Sequence, residues 1–247
     1  PKIMVYLNLC CEPPVPMTLS NYLFPPRAPA TLPIQGSSQL IPVHRIYCIG
    51  RNYEAHAVEM GHDPNKEPPF FFQKNADSLV INADFPFPKQ SQDVHHEVEM
   101  VVVIGKAGEA IAVENALDHV LGYAVGLDMT CRDLQAEAKK LGRPWEPGKS
   151  FENAAPCSQV VLASNIGHPS AGDISLAING EIRQQGDLNQ LIWKVPELVS
   201  VLSNFYRLQP GDLIFSGTPS GVGPVRVGDR LEARIASVGS LNLSVVA

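Results

Sequence analysis

No apolar run in this sequence approaches the ~18 residues that a membrane-spanning helix needs, so a membrane partner is not expected. Basic runs and basic residues interleaved with aromatics are also missing. The formal net charge is -6 and the pI near 5.6, which makes nucleic acid a poor partner. The cysteines Cys10, Cys11, Cys48, Cys131 and Cys157 are odd in number and irregularly spaced, with no CxxC pair and no zinc-type spacing. A disulfide framework is not expected in a chain this long, and a reducing, cytoplasmic setting is. No internal repeat and no regular βαβ alternation is present, which argues against a solenoid and a doubly wound sheet. A clean signal peptide is missing too: "IMVYLNLCC" follows a single lysine and has no small-residue cleavage site. The chain begins at Pro1, and Met17 is the expected natural start.

What is present is a chain of 247 residues, 45% hydrophobic and 18% charged, ample for one large domain or two small ones. Residues 12–43 carry eight prolines and few periodic apolar positions, and residues 1–43 are expected to form a proline-rich N-terminal arm. Residues 44–247 are expected to form the catalytic domain. Within it "RIYCIG", "PPFFFQK", "DSLVI", "EVEMVVVIG", "GYAVGLDMT", "DLIFSG", "DRLEARI" and "SLNLSVV" read as strands. Helical pieces are "NYEAHAVEMG", ending at Gly61, a short one at "VENALDHV" closed by Gly122, "RDLQAEAKKLG", and "PELVSVLSNFY" with proline in its first turn. Asn179-Gly180 marks a hairpin inside "ISLAINGEIRQQG". The fold class is α+β, rich in strand, with a few short helices.

The chemistry starts at "VHHEVEMVVVIG". Alternation along a strand puts His95, Glu97 and Glu99 on one face, with Val98 and Met100 on the other. Two buried like charges repel, so the face is solvated, one carboxyl is protonated, or a cation sits between them. For a lone ExE pattern solvation is the commoner outcome. Asp128, an acid at the end of the apolar "GYAVGLD", tips the balance toward three carboxylates meeting at strand ends. Oxygen donors of that kind suit Mg²⁺, Mn²⁺ or Ca²⁺, with His95 a neighbour and not a ligand.

"VHHEVEM", "GLDMTCRDLQ", "GKSF" and "SGTPSGVGP", in that order and spacing, resemble the fumarylacetoacetate hydrolase superfamily from about Arg45 to Val246. Within it, "IGRNYEAHAVEMG" followed by "PPFFFQK" is most similar to the short acylpyruvate hydrolases, including those acting on fumarylpyruvate in gentisate breakdown. The resemblance implies a β-rich mixed roll, a divalent metal and a homodimer. It places the metal carboxylates at Glu97, Glu99 and Asp128, a substrate-contacting lysine at Lys149 and the glycine-loop threonine at Thr218. It puts the arginine and glutamine after the third ligand at Arg132 and Gln135, and a lid pair at His56 and Glu59. Two features depart from the family pattern: leucine precedes the third ligand, where many relatives have asparagine, and a long arm precedes Arg45.

The implied substrate is a small keto-acid. Cleaving an acylpyruvate requires water to attack the distal carbonyl while pyruvate leaves as an enolate, and the metal and Lys149 would offset that charge. His56 and Glu59, three apart on one helix face, suit a general base and the carboxylate that orients it. Their helix is short enough to be a mobile lid. The glycines of "SGTPSGVGP" let backbone N–H groups approach a substrate carboxylate beside Thr218; a plain turn is the alternative. Arg51 and Arg132 are candidates for a distal carboxylate, with Arg132 equally suited to pairing with Asp133 or a ligand carboxylate. "GRPWEPGKS" is not a P-loop: five residues separate its outer glycines and two prolines interrupt it. Cys131 reads as packing. Two other functions stay open: an oxaloacetate decarboxylase or keto–enol isomerase on the same site, and a metal-stabilised scaffold without catalysis.

Overall fold

An eight-stranded mixed sheet curls back on itself in the computed structural model, which describes residues 22–59, 68–81 and 83–247. Met17, Cys10, Cys11 and the expected helix end at Gly61 lie outside the described residues. The sheet runs Phe70–Lys74, Ile46–Gly50, Leu213–Phe215, Val98–Ile104, Val120–Leu127, Ala155–Cys157 and Leu79–Ile81, with Val161–Leu162 paired beside Val120–Leu127. The two outermost strands, Phe70–Lys74 and Leu79–Ile81, are joined by only four residues, so the edges of the sheet lie close and the sheet is a roll.

Alternation decides what faces each way. Cys48, Val101, Val103, Ala124, Leu213 and Phe215 point into the roll and form one buried cluster. Tyr47, Met100, Val102, Tyr123, Val125 and Leu127 point outward into a larger one. That outer cluster is shared with a five-stranded sheet, Glu181–Asp187, Asp173–Ile178, Arg230–Ile235, Gly239–Val246 and Phe85–Pro86, and with the helix Val195–Phe205. Val98–Ile104 is buried on both faces, which is why it reads as a continuous apolar run.

The expected proline-rich arm is folded over its second half. Thr31–Pro33 and Leu40–Pro42 pair antiparallel, and Leu32, Ile41 and Val43 enter the interior cluster. His44 N–H is bonded to Gly211 C=O, so this hairpin closes the end of the roll where Ile46–Gly50 and Leu213–Phe215 begin. Proline suits this position because short strands outside the main sheet have few N–H groups to donate.

Asn179 and Gly180 turn the expected hairpin, both with positive φ (54° and 84°), as a type I′ turn requires. Residues 113–119 form the short helix as a 3-10 turn. Gly122 does not close it, however, and sits inside Val120–Leu127. A Cβ there would lie 2.3 Å from the Val161 carbonyl oxygen, so the glycine answers to the approach of a neighbouring strand.

One buried amide joins the two sheets. Gln184 Oε1 accepts from Val98 N–H (3.0 Å) and from His96 Nδ1 (2.9 Å), while its Nε2 donates to Thr218 Oγ1 and Pro219 C=O (2.8 Å each). All four hydrogen-bonding positions of the side chain are used. Replacing it with leucine strands a buried N–H and several acceptors, each costing about 1–3 kcal/mol. Gln184→Leu is expected to lower stability by about 2–5 kcal/mol in urea unfolding; a loss below about 1 kcal/mol would show that the bridge does not hold the sheets.

Candidate active site

The end of the roll opposite the arm hairpin is where its strands deliver carboxylates. Glu97 lies in a one-residue break between Val94–His96 and Val98–Ile104 and does not continue a single strand as expected. Glu99 and Asp128 sit just inside the start of one strand and just past the end of its antiparallel neighbour. Alternation points all three inward, on the face of Val101 and Ala124, and one oxygen from each lies within 4.8 Å of the others. All three are buried. Leu127, the departure from the family pattern, points into the outer cluster and away from them. His95 stands aside, against Asp93 at 3.0 Å.

Charge compensation comes from three cations. Lys149 Nζ donates to Glu97 Oε2 and to Asp128 Oδ2, both at 2.8 Å. Arg132 Nη2 donates to Glu97 Oε1 at 2.5 Å and Nη1 to Gln135 Oε1 at 2.7 Å. Lys74 Nζ lies 2.8 Å from Asp128 Oδ1 and donates to the carbonyls of Met129 and Lys149. Burial by itself would raise the Glu97 pKa, yet the Lys149 and Arg132 charges hold it well below the usual carboxylate range. Burial raises Glu99 well above that range, and the neighbouring Asp128 and Glu97 charges push the same way. For Lys149, burial opposes the charge while Asp128 and Glu97 raise its pKa overall.

In the loop after Leu213–Phe215 one backbone amide already has a partner within the protein. Gly217 N–H donates to Glu99 Oε2 at 2.8 Å, so that amide holds a protein carboxylate. Thr218 Oγ1 donates to Val98 C=O and accepts from Gln184, which fixes the hydroxyl at the pocket wall. Gly217 has a φ of 103° and packs on Asn52, whose side chain bonds Ser216 C=O and Trp193. Only glycine combines that φ with so close an approach.

The helix Glu54–Glu59 brings His56 to the same pocket as the triad, with His56 Nδ1 3.2 Å from Glu59 Oε2. His56 is buried, and Glu59 accepts the Gly221 N–H at 3.3 Å, docking the helix on the glycine loop. Pairing through Nδ1 leaves Nε2 as the nitrogen with a lone pair for a proton. One pocket is lined by His56, Glu97, Glu99, Asp128, Arg132, Gln135, Lys149 and Thr218, with Arg51, Lys139, Phe70, Phe72 and Trp145 toward its mouth. Arg51 sits over the Phe70 ring at 5.0 Å. Arg132, a candidate for a distal carboxylate, is instead committed to Glu97 and Gln135.

Lys74, Gln184, Lys139 and Trp145 were not anticipated as site residues. Lys74 carried the same kind of signal as Asp128, a charge at the end of an apolar strand. Gln184 carried none, because its partners lie 34 to 88 residues away in sequence.

The donor set fits a divalent cation. It consists of three hard carboxylate oxygens, all buried, and the Asp128 Oδ1 that faces Lys74 at 2.8 Å has that ion pair but no aligned hydrogen bond among the described residues. Glu97, Glu99 and Asp128 would hold the ion.

Comparison with known proteins agrees with this geometry. The chain is 52% identical to the fumarylpyruvate hydrolase of Pseudomonas aeruginosa, solved in complex with Mn²⁺ and pyruvate; the match covers 92% of this chain and 99% of that one, with a TM-score of 0.90. It is 40% identical to the fumarylpyruvate hydrolase of a Ralstonia species over 74% of this chain and 95% of that protein. It is 42% identical to the mouse mitochondrial oxaloacetate tautomerase FAHD1 over 81% of this chain and 90% of that protein. The pattern of the fumarylacetoacetate (FAA) hydrolase C-terminal family matches residues 45–246, and the roll, its inward carboxylates and these relatives agree: the chain belongs to the fumarylacetoacetate hydrolase family.

Proposed function

We propose that this protein is a metal-dependent hydrolase that cleaves the C–C bond of an acylpyruvate, converting fumarylpyruvate to fumarate and pyruvate. The observation that carries the reading is the shared pocket: a buried carboxylate triad suited to a divalent cation and the His56 ring, which Glu59 holds from behind, line the same cavity. A structural metal site would have no use for the imidazole. The proposal extends to Mg²⁺ or Mn²⁺ as the ion, with Ca²⁺ a further choice, to gentisate breakdown as the setting, and to a cytoplasmic homodimer, as the family resemblance implies.

When bound, the divalent ion supplies Lewis-acid stabilisation of the negative charge that develops as pyruvate leaves. The chain's own residues do the rest. His56 Nε2 takes a proton from water, and Glu59 holds the ring at Nδ1 and stabilises its charged form. The water oxygen bonds to the distal carbonyl carbon, and the bond from that carbon to the methylene breaks. Its electron pair leaves with pyruvate as an enolate, which the proton held on His56 can quench. The Lys149 ammonium, fixed between Glu97 and Asp128, adds a compact positive charge beside the keto-acid oxygens. Docking of the His56 helix on Gly221 keeps bulk water from the pocket, and undocking lets substrate enter.

The tautomerase relative favours a second reading, keto–enol isomerisation of oxaloacetate in the same pocket, with decarboxylation as its variant. That chemistry moves protons without adding water across a bond. His56→Ala is therefore expected to lower fumarylpyruvate hydrolysis by about 10²–10⁴-fold while oxaloacetate decarboxylation, which needs no activated water, persists. If hydrolysis and decarboxylation rates fall together by the same factor, the loss is not specific to water activation and the assignment of His56 as the water base fails. Glu99→Gln is expected to weaken Mn²⁺ binding, read by electron paramagnetic resonance, by more than the roughly 10–100-fold that outer-shell partners cost, with hydrolysis falling in step and circular dichroism unchanged. Retained Mn²⁺ affinity would remove Glu99 from the ligand set, and retained metal with no turnover on any keto-acid would favour a scaffold.

A further inference from the structure

We infer that Lys139, at the mouth of the pocket, reads the far carboxylate of the substrate, so that the site favours acylpyruvates whose acyl chain ends in an anion. This rests on the acylpyruvate reading above and names the residue that sets its preference among such substrates.

The helix Arg132–Leu141 provides the geometry. Arg132, Gln135 and Lys139 are spaced by three and four residues, so they share one helix face. At 1.5 Å per residue, Lys139 lies about 10 Å further along the axis than Arg132. The same face thus begins at Glu97 and ends at the pocket mouth, and all three residues line the pocket. Arg132 is occupied by Glu97 and by Gln135. The Lys139 ammonium makes no ion pair or hydrogen bond among the described residues; it lies over the Trp145 ring, 5.0 Å from the centroid.

An aromatic wall connects the buried end to this cation. Lys149 Nζ lies 5.0 Å from the Phe72 centroid, Phe72 and Phe70 each lie 5.8 Å from Trp145, and Arg51 lies over Phe70. Flat rings beside a row of cations suit a planar, conjugated acyl chain with a carboxylate at its end. The pocket's acids are all at the buried end, while Arg51 and Lys139 flank its mouth. Burial, and then the like charges of Arg132, Arg51 and Lys149, lower the Lys139 pKa, a cost that an anion bound there would relieve.

The test compares the Mn²⁺-loaded protein with Lys139→Ala on fumarylpyruvate and on acetylpyruvate, whose acyl end is a methyl group. The ratio of the two kcat/KM values is expected to fall about five- to tenfold in favour of acetylpyruvate, through KM, as for a partly shielded ion pair. Lys139→Arg is expected to keep most of the ratio. Calorimetric titration with fumarate should show weakened binding in Lys139→Ala, with pyruvate affinity held. An unchanged ratio, or equal losses on both substrates, overturns the assignment; an equal loss with a lowered Tm would make Lys139 a structural contact of Trp145. If the unaltered protein turns over neither acylpyruvate, the hydrolase reading falls by itself, and the fumarate titration still decides whether Lys139 binds the far carboxylate.

Discussion

Three carboxylates forced together at the end of a β-roll opposite its arm hairpin are the constraint to which the rest of the structure answers. Burying Glu97, Glu99 and Asp128 within 4.8 Å of one another is unfavourable on two counts, loss of hydration and mutual repulsion. Lys149, Arg132 and Lys74 surround the group, and Gly217 N–H is spent on Glu99. Even so, Glu99 stays far above its ordinary pKa because burial and its two neighbours outweigh that single hydrogen bond. A fold that was selected only for stability would have no reason to keep such a cluster. Its retention makes sense if a divalent cation and an anionic keto-acid complete the charge balance.

The same constraint explains the rigidity around the site. The glycine loop is held by Asn52 from one side and Gln184 from the other, and Gln184 also holds Val98, the residue between the first two carboxylates. Positions within a fraction of an ångström matter for charge stabilisation, and buried amides with every donor and acceptor paired are a means to that precision. The proposed lid is the segment that brings His56 to the same pocket. The helix carrying His56 and Glu59 is six residues long and reaches the rest of the site through contacts such as the one at Gly221. A hydrogen-bonded charged floor beside a small, locally held helix suits the proposed hydrolysis, in which the helix that carries the proposed base admits substrate and then excludes water.

Much of this was legible in the residues. Apolar runs interrupted by acids located the triad, since neither Glu99 nor Asp128 is compatible with a strand buried on both faces unless something compensates it. Asn179-Gly180 located a hairpin because few residues accept two successive positive φ values. Gly142, the glycine at the end of "RDLQAEAKKLG", closes that helix in the left-handed conformation. Proline content misled for residues 31–42: it signals weak hydrogen bonding along the chain, but Leu32, Ile41 and Val43 bury enough apolar surface to seat the hairpin. Gly122 misled for a related reason, since a glycine that ends a helix and one that admits a neighbouring strand look alike in sequence.

Local pattern thus determined which side chains would be buried, which turns the chain would make and which acids had no place in an apolar strand, because these follow from backbone geometry and hydration over a few residues. Only the tertiary structure decided what each charge would face. Arg132 went to Glu97, the loop amide went to Glu99, Gln184 became the bridge between sheets, and Lys139 came to stand at the pocket mouth. Those outcomes depend on segments far apart in sequence meeting at one end of a closed roll, and such meetings are set by the packing of two sheets and not by any stretch of residues alone.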